Sequence, residues 1–177
     1  MSVTGQAPFR IEPLAAVQDR LGFKCGVESL DRYLKEQASQ DVRRKANAVF
    51  VFVKESEPER ICGYFTLCAG SLPPGTVPDA AKKFLPRYPA VSCTLLGRLA
   101  IDAAFQGQGI GGALLAEALR HAFENAAFVG SSMVVVDAFD ERAASFYQAH
   151  GFLRFPESMR LGLPMIAIGK QLARLAL

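Results

Sequence analysis

From Ala103 to Gly112 the chain reads Ala-Ala-Phe-Gln-Gly-Gln-Gly-Ile-Gly-Gly. Upstream, Val91–Ile101 (VSCTLLGRLAI) is apolar enough for a long, mostly buried strand, with Gly97 expected at a bulge or close backbone approach. Downstream, Ile110, Leu114, Leu115, Ala118, Leu119, Ala122 and Phe123 recur at helical spacing. The glycines therefore fall between a buried strand and the start of a helix. There they leave backbone N–H groups uncovered and tolerate positive φ, while the helix start adds unpaired donors and a positive dipole end. This combination predicts an anion site, most naturally for phosphate or pyrophosphate.

Working outward, Phe9–Leu14 alternates as a short strand. From Val27 to about Lys45, Leu30, Leu34, Ala38 and Val42 mark an amphipathic helix with Ser29 as its expected cap. Ala48–Val53 and Ile61–Leu67 read as two arms of a hairpin around the polar turn Glu55–Glu59. Leu72–Pro89 carries five prolines, cannot lie in a sheet centre and reads as a functional connection. Ser132–Ala138 is a buried strand, and Asp140 caps a helix running through Gln148 that Gly151 ends. Phe152–Phe155 and Leu163–Ile168 are expected as closing strands, and Arg120 and Glu124 are spaced for an i,i+4 pair. The whole reads as one mixed α/β domain over residues 1–177.

The 177 residues fit one domain, and a 50% hydrophobic content excludes a disordered chain. No apolar run approaches the ~20 residues needed to span a bilayer. The opening MSVTGQAPFRIEPL lacks the basic start and apolar stretch of a secretory signal, so a cytoplasmic location is expected. Cys25, Cys62, Cys68 and Cys93 form no C-x-x-C pair, and His121 and His150 are the only histidines. No metal is expected on that count, and a thiol nucleophile is not marked. The net charge of +3 is too mild to indicate nucleic acid by itself. Its local runs, Arg43-Arg44-Lys45 and Lys82-Lys83 with Arg87, are either solvated surface or contact points for phosphate.

Several phosphate ligands fit a glycine loop. The absence of a following Lys-Ser/Thr removes a Walker A loop. Gly107, Gly109 and Gly112 satisfy G-x-G-x-x-G, but they come some residues after the strand, and too little chain follows for a dinucleotide domain. A nucleotide-sensing module stays as the non-enzyme alternative. Gln106-x-x-Gly109-x-Gly111 resembles the Gln/Arg-x-x-Gly-x-Gly/Ala motif of the GCN5-related N-acetyltransferases, and the flanking order of elements is similar to that family's. The resemblance implies a central mixed, twisted sheet of about six or seven strands flanked by helices. It also implies acetyl-coenzyme A as co-substrate. Its pyrophosphate would lie on Gln106, Gly107, Gln108, Gly109, Ile110, Gly111 and Gly112, and its pantetheine arm would bond the strand at Leu99, Ala100 and Ile101.

The resemblance further implies that Tyr147, in Phe146-Tyr147-x-x-x-Gly151-Phe152, donates to the departing thiolate, with Phe146 against the cofactor or packed on the sheet. A tyrosine with a pKa near 10 stays protonated at neutral pH, which suits that task. No general base is visible, which favours an α-amine, with a pKa near 7.7–8.0, over a lysine amine near 10.4. Cys25–Asp31, Gly63–Leu67, Arg87-Tyr88-Pro89 and Leu96–Asp102 are similar to a subgroup of toxin–antitoxin acetyltransferases. That likeness implies acetylation of the α-amine of aminoacyl-tRNA, a ribbon-helix-helix antitoxin as partner, and a homodimer. Arg43, Arg44, Lys82, Lys83, Arg87 and Arg98 then become candidate contacts to tRNA phosphates, Arg98 equally a strand residue beside an acidic neighbour. A small-molecule or protein N-acetyltransferase of the same fold is the alternative enzyme.

Overall fold

The computed structural model describes residues 8–175, so the first seven residues, on which part of the signal reading rests, lie outside it. Seven strands hydrogen-bond in the order β1-β2-β3-β4-β5-β7-β6, a mixed sheet with helices between its strands. The chain forms two compact units, each assembled from two separate stretches. No helix among the described residues is long and apolar enough to cross a membrane.

The first unit takes the chain through Thr66 together with Arg98–Glu117. In it β1 (Phe9–Pro13) pairs antiparallel with β2 (Ala48–Lys54), Phe9 opposite Lys54 and Pro13 opposite Phe50. The helical stretch expected over 27–45 is interrupted: α1 (Glu28–Arg32) and α2 (Ala38–Arg44) flank one π turn at Tyr33–Gln37. The extra residue in that turn lets two adjacent side chains, Tyr33 and Leu34, both face inward, where they join Phe23, Val51, Val53 and Tyr64 in one core. Ser29 is not the cap. The helix starts at Glu28 after an extended Val27 that makes no side-chain cap bond, and Asp31 instead reaches back to accept from the Cys25 amide at 2.8 Å.

The second unit takes Leu67–Gly97 and the chain from Ala118 onward. β3 (Gly63–Leu72), β4 (Val91–Ile101) and α4 (Ile110–Asn125) contribute residues to both units. The proline-rich connection is not wholly irregular: a single 3₁₀ turn at Pro74–Thr76 precedes α3 (Asp79–Lys82), which buries Ala81. That residue packs with Val77, Val91, Cys93, Met133 and Phe155. β5 (Met133–Asp137) pairs parallel with β4 at Cys93–Met133, Thr94–Val134 and Leu95–Val135.

Asp140 caps α5 (Glu141–Ala149) by accepting from the Ala143 amide at 2.8 Å, as expected. Gly151 closes it at φ +93°, and Arg120 and Glu124 pair at 3.0 Å. The expected strand over Leu163–Ile168 is corrected. β6 (Leu153–Arg154) pairs with β7 (Arg160–Pro164), and α6 begins at Met165 and runs to Leu175. Proline lacks the N–H that would extend the ladder, and Met165 and Ile168 then bury at helical i,i+3 spacing.

Candidate active site

The loop after β4 is shaped by polar contacts within the first unit. Asp102 is buried and uses both carboxylate oxygens: Oδ1 accepts from the Ala104 amide at 2.9 Å and Oδ2 from the Lys24 amide at 3.0 Å. Its own amide donates to Cys62 O at 2.9 Å, and Ala103 donates to Lys24 O at 2.8 Å. This closes one 3₁₀ turn at Ala103–Phe105, whose Phe105 ring is buried and meets Phe9 edge-on at 6.5 Å. The Gln106 amide nitrogen then donates to Cys25 O at 2.7 Å and Ile101 O at 2.8 Å. Gln106 thus fastens the loop to the segment before α1 and to the end of β4.

Past that staple, Gly107 and Gly109 adopt φ +77° and +76°. An added Cβ would meet nothing within 4 Å at either, so backbone conformation rather than space calls for glycine. Gln108 folds back toward Ala104 O at 3.4 Å, and Ile110, buried, opens the 16-residue α4. Gly111 and Gly112 occupy its first turn, where helical N–H groups have no intrahelical acceptor. Two left-handed glycines leading into a long helix start are a donor-rich concavity that fits an anion. In β4, Ala100 points into the core while Leu99 and Ile101 are half-buried.

Sequence reading places Gly63 in a strand and in a stretch similar to the toxin subgroup but gives it no part in shaping the loop. A Cβ there would lie 2.9 Å from Ile101 Cδ1, 3.0 Å from Ala100 O and 3.2 Å from Leu114 Cδ2. Its bare backbone lets the end of β4 and the first turns of α4 come close to β3.

In the second unit, Tyr147 lies on α5 with its ring buried, 5.2 Å from Phe146 and 5.4 Å from Phe152. Among the described residues its hydroxyl makes no hydrogen bond, and it is not one of the sealed unpartnered atoms, which are Arg20 Nε and Thr66 Oγ1. Burial alone pushes its pKa up to about 12. Phe146 is half-buried against His150 at 4.7 Å. His150 Nδ1 sits 2.8 Å from Phe146 O, occupied at the helix end.

The buried thiols are poor nucleophiles. Burial pushes Cys25 up to about 11, and burial likewise raises Cys62 and Cys93. Among the described residues no group of three or more His, Cys, Asp or Glu is placed to hold a metal.

The six basic candidates divide. Arg43 and Arg44 stand exposed in the last turn of α2, and Lys83 and Arg87 stand exposed in the connection before β4. Lys82 is paired with Asp79 at 2.9 Å. Arg98 stacks 3.5 Å over the Tyr33 ring, whose hydroxyl donates to Asp41. Hydrogen bonds from Gln37 and Tyr33, with the Arg98 charge adding to them, hold the Asp41 carboxyl below the usual carboxylate range.

Residues 16–152 match the model of the acetyltransferase (GNAT) family. A tRNA-acetylating toxin of Mycobacterium tuberculosis is 30% identical over 141 residues, covering 80% of each chain. The structure of AtaT complexed with acetyl-methionyl-tRNAfMet superposes with a TM-score of 0.84 at 29% identity, covering 93% of this chain and 99% of that one. A tyrosine-to-phenylalanine mutant of AtaT, bound to acetyl-CoA and the C-terminus of the antitoxin AtaR, superposes at 0.78 with 27% identity, covering 93% and 98%. From the matched sequence, the mixed sheet and the loop between β4 and α4, this chain belongs to the GNAT acetyltransferase family.

Proposed function

We propose that this chain is a toxin that transfers the acetyl group of acetyl-coenzyme A to the α-amine of aminoacyl-tRNA and so blocks translation. The likeness to AtaT, solved with an acetylated initiator tRNA and matched over 93% of this chain, carries the reading. The proposed cofactor residues are Gln106–Gly112, with Leu99, Ala100 and Ile101 on β4 and Phe146 on α5. The left-handed glycines and helix start suit the pyrophosphate. Gln106 enters as the residue that holds the loop, its amide being engaged with Cys25 O and Ile101 O.

When bound, acetyl-coenzyme A supplies a thioester whose carbonyl carbon accepts the amine and whose sulfur departs. Tyr147 is proposed to donate a hydrogen bond to that sulfur as charge develops. A pKa near 12 keeps the hydroxyl protonated at every physiological pH. Because a thiol near 8.5 is the stronger acid, Tyr147 steadies the thiolate, and the proton that finally rests on sulfur balances the one the amine loses. Arg43, Arg44, Lys83 and Arg87 are the phosphate contacts that exposure favours, with Lys82 and Arg98 already engaged within the chain.

The proposal extends to a cytoplasmic, single-domain chain and to an antitoxin partner of ribbon-helix-helix type, the AtaT–AtaR complex supporting an antitoxin as partner. A homodimer is included, on the likeness to the toxin subgroup. The test is transfer of labelled acetyl from acetyl-coenzyme A to bulk charged tRNA, with uncharged tRNA and Tyr147→Phe as controls. Label confined to charged tRNA and cut by 10²-fold or more in the variant, in the range of positioned proton donors, is the expected result. Acetyl-coenzyme A binding without label on tRNA would overturn the substrate and leave a small-molecule or protein acetyltransferase.

A further inference from the structure

Arg98 directly precedes Leu99, Ala100 and Ile101 on β4, the stretch proposed for the pantetheine arm. An arm that leaves the pyrophosphate loop and bonds first at Ile101 and last at Leu99 carries its thioester toward Arg98, each strand residue advancing it by about 3.3 Å. The guanidinium is half-buried and fixed 3.5 Å over the Tyr33 ring. That platform comes from the π turn at Tyr33–Gln37, an irregularity frequent at functional sites, which turns Tyr33 inward beside Leu34. Among the described residues Arg98 makes no ion pair. From α2, Asp41 feels its charge but accepts from Tyr33, Gln37 and Asn47. From β3, Tyr64 donates to Leu30 O at 2.7 Å, and burial raises its pKa against the opposing Arg98 charge. Beyond Tyr64, Asp31 of α1 accepts from the Cys25 amide, and burial raises the Cys25 thiol. Tyr64 and Cys25 are thus uncharged at physiological pH, and the opposing charges, Asp31 and Asp41, are both engaged elsewhere. Arg98 is held without being neutralised.

We infer that Arg98 keeps the acceptor α-amine deprotonated, a fixed cation achieving through its charge what a general base achieves by taking a proton. The inference rests on the α-amine reading above and supplies the step that reading leaves open, since no side chain there acts as a base. An ammonium brought to the thioester meets a like charge on a half-buried guanidinium, which favours its neutral form. It releases one proton to solvent. The neutral nitrogen then bonds the thioester carbon, the C–S bond breaks, and the second proton the nitrogen loses ends on sulfur. An α-amine near 7.7–8.0 needs about one unit of such help to be mostly neutral at pH 7, whereas a lysine amine near 10.4 needs more than about three. Asp31 and Asp41 offset part of the Arg98 field, so the help is about one unit, enough for the first amine and too little for the second.

The test follows kcat and kcat/KM of the full chain from about pH 6 to about pH 8.5, with charged tRNA and, in parallel, an amino-acid methyl ester as acceptors. The acidic limb of kcat/KM belongs to the free amine and is expected near 7.7–8.0 in every variant, while the limb of kcat belongs to the bound amine. In the parent the kcat limb is expected about one pH unit lower. Arg98→Met is expected to return it to the free-amine value, leaving the variant about five- to tenfold slower than the parent near pH 6.5 and within about twofold near pH 8.5. Arg98→Lys keeps the charge and is expected to keep the parental limb. A parent whose two limbs coincide overturns the inference with no variant needed, and leaves the substrate in place. A lysine variant that follows the methionine variant overturns it too, as does a loss in Arg98→Met that is uniform across pH, which assigns Arg98 to packing. Transfer to the ester but not to charged tRNA refutes the tRNA reading, while the ester profiles still decide Arg98. A parent that acetylates neither acceptor refutes both.

Discussion

Replacing Gln106 by alanine separates two roles that the acetyltransferase motif leaves joined. The amide nitrogen donates two hydrogen bonds, 2.7 Å to Cys25 O and 2.8 Å to Ile101 O, and both acceptors belong to the chain itself. Each such bond contributes about 0.5–1.5 kcal/mol net, and because Gln106 is exposed, water replaces part of what is lost. The expected cost is therefore about 1–2 kcal/mol. For a chain of this length that lowers the midpoint of thermal unfolding by about 2–8 °C. A loosened loop must also be ordered when acetyl-coenzyme A binds, so the dissociation constant should rise by about 5–30-fold. Gln106→Glu should do worse at neutral pH, since a carboxylate offers only acceptors to two carbonyl oxygens. Calorimetry reads both quantities on the same sample. An alanine variant that melts with the parent yet binds acetyl-coenzyme A weakly would mean that Gln106 touches the cofactor directly, and the stapling argument would fall. So would a glutamate variant as stable as the parent.

At neutral pH Tyr147→Phe should be about as stable as the parent, because the hydroxyl makes no hydrogen bond among the described residues and the ring contacts remain. Its folded pKa is raised from 10 to about 12, so below pH 10 the hydroxyl is protonated folded or unfolded. Above pH 10 the unfolded chain ionises first, and the parent should lose roughly 2–3 kcal/mol relative to the variant by pH 12. Urea titrations across that range would show it, and parallel curves would contradict the burial argument. Gly63→Ala should cost about 1–3 kcal/mol, because its Cβ would sit 3.0 Å from the backbone oxygen of Ala100; a parent-like urea midpoint would mean β3 can shift there. Gly109→Ala meets open space, so its cost is the left-handed backbone alone, about 1–2 kcal/mol, read as weaker acetyl-coenzyme A binding in isothermal titration.

Where a pattern is local, the sequence carried it. The β-branched and aromatic run of Ala48–Val53, the apolar run of β4, the helical spacing after Ile110 and the Asp140 cap all depend on residues within one or two turns, and each lies where it was expected. Misreadings came where a distant partner decided. A π turn at Tyr33–Gln37 cannot be seen in the fourfold recurrence of Leu30, Leu34, Ala38 and Val42, because its cause is the burial of Tyr33 beside Leu34. Ser29 looks like a cap until Asp31 bonds the Cys25 amide. Leu163–Ile168 is apolar throughout, and only Pro164 within it hinted that strand gives way to helix. For the candidate site, the place of the glycine loop between strand and helix was legible. Its fastening through Asp102, Lys24 and Cys25 was not, since nothing near residue 24 announces a partner beyond residue 100.

That separation also governs when the loop can exist. The Lys24–Asp102 and Cys25–Gln106 bonds join residues 78 and 81 positions apart. Contacts of such range form only after the entropy of closing a long loop has been overcome, late in folding. A peptide carrying only Ala103–Gly112 would therefore not adopt this shape, and a nascent chain would be without it until the segments around Lys24 and Gln106 had both left the ribosome and docked. Competence to bind the cofactor at this loop thus arrives with the tertiary fold and not ahead of it.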